Sequence, residues 1–257
     1  MIKFFRKIRQ NLLLEGKTRK YLKYAIGEIV LVVVGILIAL SINNWNEARK
    51  LKNQELKYLS GIKSDMKLTI IELENYTNLR KTSINSAENI IQMFNNKKEP
   101  TLDEFNFHNL NVQIWSPFKK NDNTYQELIN SGNFAIISND SIKDILLNIE
   151  LVYKEIEFIE SHMYKDFENY MFPIYFSAAD LESDISNYTH QVSNGTQGDR
   201  TELSKEKIEL LLKNQTFKNG FVLSKFNNNL VIGEYKKMKA LSEKLLDIID
   251  SKIAKSK

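Results

Sequence analysis

Residues Ala25–Ile42 read AIGEIVLVVVGILIALSI: twelve of these eighteen are Ile, Leu or Val, and Glu28 is the single charged side chain. With Tyr21 and Leu22 before it and Trp45 after it, the run is long enough for a helix across a hydrocarbon core of about 30 Å. Each central aliphatic contributes roughly −0.3 to −0.6 kcal/mol to insertion, whereas an acid costs about +2.5 kcal/mol at the helix centre and less near its ends. The aliphatics outweigh Glu28, so the sequence predicts a transmembrane helix over residues 21–43.

Working outward from this run, residues 1–24 carry eight Lys or Arg against Glu15, a charge of +7. Residues 45–257 hold 28 basic and 30 acidic side chains, a charge of −2. The leader, residues 1–20 with Lys3, Arg6, Lys7, Arg9 and Lys20, and Lys23 just beyond it, sets the N-terminus inside the cell and supplies candidate topology and lipid contacts. Tyr21, Tyr24 and Trp45 fall where aromatic belts sit. Phe4, Phe5, Ile8, Leu12 and Leu13 recur near helical spacing, which fits a short helix lying on the inner leaflet; a flexible basic tail fits as well. The competing reading of the whole region is a cleaved signal peptide, with Ala39-Leu40-Ser41 as the cleavage site. The 24-residue leader and the total apolar length weigh for a retained anchor.

Within the span, Glu28, Val32, Gly35 and Ala39 follow i, i+4, i+7, i+11 spacing and share one face. Small residues at 35 and 39 admit a second helix, and an acid on that face would be sheltered from lipid. Glu28 snorkelling to the headgroups is the alternative.

Residues 44–257 read as one extracytoplasmic domain. From Asn44 to about Asn95 the apolar positions Leu59, Ile62, Met66, Ile70, Leu73, Ile84, Ala87, Ile91 and Phe94 recur at threes and fours, so the membrane helix is expected to continue as a stalk, with Gly61 its flexible point. Thr101-Leu-Asp-Glu104 has capping-box spacing for a helix to about Gln113. Tyr125–Asn130 forms a short helix closed by Ser131-Gly132. Asp140 or Ser141 caps a long helix to about Phe172, where Pro173 breaks it. A flexible loop is expected near 183–201, then helices near 202–213 and 216–254, with Leu241, Leu245, Ile248 and Ile249 lining the inner face of the last. The fold class is all-α: one N-terminal transmembrane helix followed by an extracytoplasmic bundle of long and short helices.

The run YAIGEIVLVVVGILIALSINNWNE, Tyr24–Glu47, resembles the opening of a family of uncharacterised bacterial envelope proteins, known only as a domain of unknown function, that begin with a leader like Met1–Arg9, MIKFFRKIR. TYQELINSGNFAIISNDSIKD, Thr124–Asp144, is similar to that family's helix, Ser-Gly turn and following helix. LLKNQTFKNGFVLSKFNNNL, Leu211–Leu230, is a third and weaker match. The resemblance implies a single-pass protein of a Gram-negative inner membrane with a periplasmic helical domain. It brings no catalytic or binding residues.

The chain has no cysteine, which excludes disulfides, thiolate metal sites and Cys nucleophiles. A domain without surplus positive charge is a poor nucleic-acid binder. Glycine-rich phosphate loops, a GxSxG elbow and HExxH are absent from the sequence. His108, His162 and His190 are widely spaced; His162 and Asp166, an i, i+4 pair on a face shared with Glu155, form a weak candidate site better explained by chance. The aromatic run Tyr164, Phe167, Tyr170, Met171, Phe172, Tyr175 and Phe176 suits core packing more than a ligand pocket. The sequence therefore predicts a non-enzymatic, cofactor-free scaffold, sensor or accessory module. Its expected partners are the lipid bilayer and a second copy or another membrane protein. The alternative is an ion-coupled membrane subunit with Glu28 as its protonation site; an enzyme has no sequence feature in its favour.

Overall fold

The computed structural model describes Gln10 and residues 18–255, which form eight α-helices and no strand. These are α1 (Thr18–Phe94), α2 (Leu102–Gln113), α3 (Asn123–Asn130), α4 (Asp140–Asp166), α5 (Phe172–Ala178), α6 (Leu181–Val192), α7 (Lys205–Leu212) and α8 (Gln215–Ala254). A 3₁₀ turn, Asn133–Ile136, lies between α3 and α4, and a π turn, Phe167–Met171, joins α4 to α5. The chain divides into two compact units, Met1–Lys57 and Tyr58–Lys257.

In the first unit α1 presents its aliphatics outward. An eighteen-residue window has a mean hydropathy of 2.7 and none of it is buried. By length and composition this is a helix able to cross a membrane. Trp45 follows, with the Arg49 guanidinium 5.8 Å from its ring centroid one turn on.

The second unit buries its apolar residues instead. Its frame is residues 58–94 of α1 together with α4 and α8. Rising positions in α1 meet falling positions in α8: Lys63 pairs with Asp250, Glu74 with Lys239 at 2.7 Å and Glu88 with Lys225 at 3.0 Å. Glu160 of α4 meets Tyr235, and Asp166 meets Asn227. Hence α8 runs antiparallel to both partners.

Two hydrophobic cores form along this frame. The first joins Leu59, Ile62 and Leu73 to Ile142, Ile149, Ile156, Met238, Leu245 and Ile249. Leu245 and Ile249 sit in it as the periodicity predicts, with Leu241 and Ile248 packed against it. The second joins Ala87, Ile90 and Met93 to Phe105, Phe167, Met171, Tyr175, Phe217 and Phe221. Each full burial of such a side chain contributes roughly 1.5–3 kcal/mol.

Helix ends follow side-chain chemistry. Thr101 Oγ1 accepts from Glu104 N at 3.2 Å, the expected cap of α2. Gly132 closes α3 with φ +71°, which a side chain would resist. The cap of α4 is Asn139, whose Oδ1 accepts from Ile142 N at 3.3 Å, one residue earlier than expected.

Three expectations need correction. The loop expected near 183–201 is largely α6, and irregular chain begins only at Ser193. The one Asn of α6 faces α2: Asn187 is buried, accepting from Asn106 Nδ2 at 3.1 Å and donating to Asp103 Oδ1 at 3.2 Å. Pro173 does not break the chain's helical course. The π turn before it, closed by Phe172 N–H to Phe167 O, takes up the change, and Pro173 sits in the first turn of α5, where no N–H is required. Gly61 is not a flexible point; a Cβ there would stand 2.6 Å from Thr124 Oγ1, so glycine serves close packing.

Candidate functional site

Between the two cores the long helices stop burying hydrocarbon. On α1 the buried residues change from Leu73 to Arg80, Ser83 and Ser86 before Ala87; on α8 Ser224 and Asn228 separate Phe221 from Val231; on α4 Glu160 lies between Ile156 and Met163. The outcome is a polar layer across the bundle.

Arg80 and Glu160 are its centre, 6 % and 2 % exposed. Arg80 Nη2 donates to Glu160 Oε1 at 2.8 Å and to Ser116 O at 2.8 Å. Tyr235 OH donates to the same carboxylate oxygen at 2.6 Å, and Phe118 N to Oε2 at 3.0 Å. The Trp115 ring lies 5.2 Å from the guanidinium. A buried charge that is paired and hydrogen-bonded is tolerable; an unpaired one is not.

The electrostatics follow from that burial. Burial raises the Glu160 carboxyl above its ordinary pKa, opposed by Arg80 and by the Tyr235 and Phe118 donors. Burial opposes the charge on Arg80, but Tyr235 and Glu160 outweigh it and hold the guanidinium above its usual value. Tyr235 is lifted by burial and by Glu160, so it remains a phenol able to donate.

Around this centre lies a segment without regular structure, Ile114–Asp122. Its backbone is held by side chains of the frame. Tyr76 OH donates to Pro117 O at 3.0 Å, and Thr69 Oγ1 both donates to Asn121 O and accepts from Asn121 N, each at 3.1 Å. Phe118 is buried with its ring centroid 5.4 Å from Tyr76, 5.3 Å from Tyr235 and 6.2 Å from Tyr153. Lys120, its side chain 5 % exposed, pairs with Asp122 at 3.1 Å and with Glu150, and stands 4.6 Å from the Tyr153 centroid. Burial and Glu157 push the Tyr153 hydroxyl up to about 12. A groove of about 450 Å³ runs between this segment and α4, with Trp115, Tyr153 and Tyr164 on its walls.

The residues singled out from the sequence lie elsewhere. Glu28, Val32, Gly35 and Ala39 fall on one face of α1, and among the described residues nothing beyond the adjoining turns of α1 itself lies within 4 Å of a Cβ built on Gly35. Lys3, Arg6, Lys7, Arg9 and the Lys20 side chain lie outside the described residues; Lys23 is exposed. His162 and Asp166 are one turn apart on α4, but His162 rests its ring edge-on against Phe158 at 5.6 Å, and Asp166 accepts from Asn227 at 3.0 Å. Among the described residues, no group of three His, Asp or Glu is placed to hold a metal.

The aromatic run divides by face: Phe167, Met171 and Tyr175 are core, while Tyr164, Tyr170 and Phe176 are exposed. Arg80, Glu160 and Tyr235 were not legible as a set. They are 75 to 155 residues apart, and their one local signal is a charged or polar residue where the helical period calls for an apolar one.

A model of a family of unknown function, DUF6090, matches residues 28–171, more than half of the chain. No curated protein matches, and no solved structure does.

Proposed function

Because the chain belongs to DUF6090, a family of unknown function, its role has to be read from its own residues, and we propose a membrane-anchored, non-enzymatic envelope protein that acts as a scaffold, sensor or accessory module. The observation that carries this reading is the apolar stretch of α1, with a mean hydropathy of 2.7 and no protein cover. Aliphatics in that number facing outward are stable in lipid and unstable in water. The +7 leader supports a cytoplasmic N-terminus in a bacterial inner membrane, with the helical domain periplasmic. A centre in which Arg80, Glu160 and Tyr235 satisfy one another supports a structural domain rather than a catalytic one. The partner this reading expects is a second copy or another membrane protein, docking on Glu28, Val32, Gly35 and Ala39.

Reporter fusions after Trp45 test the topology: alkaline phosphatase should be active there and green fluorescent protein dark, and the reverse pattern would overturn the reading. Crosslinking in the membrane tests the docking face, where the double substitution Gly35→Leu, Ala39→Leu should abolish adducts.

The second reading, an ion-coupled subunit, rests on Glu28 being the single carboxylate between residues 25 and 44. It expects Glu28→Gln to abolish function with expression and assembly intact.

A further inference from the structure

The segment Ile114–Asp122 is tied to the bundle in an unusual manner. Strands and helices satisfy their backbone through other backbone; here the frame supplies side chains, from Thr69, Tyr76 and Arg80 of α1 and Glu160 of α4. Such ties can be released by side-chain rotation while every helix keeps its own hydrogen bonds. Two of these ties converge on one residue, Glu160. Glu160 holds Phe118 N through Oε2 and, through Oε1, the same Arg80 Nη2 that holds Ser116 O. Without its carboxylate two strap groups lose their positions together.

We propose that residues 114–122 form a latch, held shut by the Arg80–Glu160 pair, whose opening withdraws Phe118 from its aromatic pocket and joins that pocket to the neighbouring groove without unfolding either core. Tyr76, Tyr153 and Tyr235 then line a cavity continuous with Tyr164 on α4. The device is a conformational one within the helical domain, and it stands whichever side of a membrane the domain occupies.

The latch carries its own reporter, since Lys119 and Lys120 give trypsin two adjacent sites. In the full chain in detergent micelles, Glu160→Gln keeps the side-chain shape but replaces one of its two acceptor oxygens by an NH2, which then faces either the Phe118 N–H or the Arg80 and Tyr235 donors. The expected result is cleavage after Lys119 or Lys120 accelerated about tenfold, equivalent to about 1.4 kcal/mol of opening. Phe118 amide exchange should rise by a similar factor, with helical circular dichroism and cleavage at Lys225 unchanged. Tyr76→Phe, which removes the hydroxyl bonded to Pro117 O and leaves the pair alone, should accelerate the same cleavage more weakly. Two outcomes overturn the proposal. Unchanged strap cleavage in both variants would mean that the pair does not govern the strap. Acceleration at Lys119 and Lys225 together, with cooperative loss of helicity in both variants, would mean that strap and cores open as one.

Discussion

The apolar stretch of α1 and the two cores of the bundle use the same aliphatic residues in opposite ways. From Ile29 to Leu40 the Ile, Leu and Val side chains of α1 are all exposed, whereas Leu59, Ile62 and Leu73 of the same helix are 0 to 1 % exposed. The difference lies in periodicity. Where apolar residues occupy every side of the helix, the surroundings must supply the cover; where they recur at threes and fours among Lys, Glu and Asn, other helices supply it. Hydrophobicity alone would not separate the two regions.

That contrast is open to attack at several levels. The largest effect is expected from Val33→Asp together with Leu37→Asp, since each acid at a membrane helix centre costs about 2.5–3.5 kcal/mol. The protein should leave the membrane pellet on alkaline extraction while a melting transition of the bundle survives; retention in the pellet would break the comparison. Next comes Arg80→Met, which leaves the Glu160 carboxylate buried without its partner and should destabilise the helical domain by about 3–5 kcal/mol. Denaturant unfolding would read that loss. The triple replacement Arg80→Met, Glu160→Met, Tyr235→Phe should recover part of it, because a packed apolar layer spares the desolvation of the pair but leaves Phe118 N–H and Ser116 O without their side-chain partners. A smaller effect, about 1–3 kcal/mol, is expected of Gly220→Ala, whose Cβ would clash with Met171 Cγ. Adding Met171→Ala should remove the clash but open a cavity, so the double mutant distinguishes overpacking from loss of glycine.

The smallest effect is one of acidity. Burial first and Lys98 second hold His108 below its ordinary pKa. A base depressed in the folded state gives stability that is fully present above its unfolded value of about 6.5 and is lost as pH falls. His108→Gln should flatten a shallow decline of the melting temperature below that pH.

Much of the architecture could be read from sequence because it is written locally. Thr101 caps α2 and Gly132 closes α3 through contacts within four residues, and α8 runs nearly as its apolar spacing requires. What failed was written at long range. Ser183–Arg200 is rich in Ser, Asn and Gly, which reads as loop, yet its first half is helical and Asn187 and Gln191 find their partners on α2, more than 80 residues away. The polar layer was hidden for the same reason: Arg80 on a helix looks like any solvated cation until Glu160 and Ser116 O are seen beside it. The strap Ile114–Asp122 has no periodicity at all, and only its side-chain anchors reveal that it is ordered.

The π turn at Phe167–Met171 acts as a register shift of one residue in a helix that otherwise advances by 3.6. Deleting a single residue there would restore ordinary spacing and rotate everything up to Ala178 by about 100°. Tyr175, whose hydroxyl now donates to Asp184 at 2.7 Å, would swing away from Phe217. A length change of one amino acid at this turn therefore redistributes which aromatic rings meet solvent, a lever that substitution at fixed length does not offer.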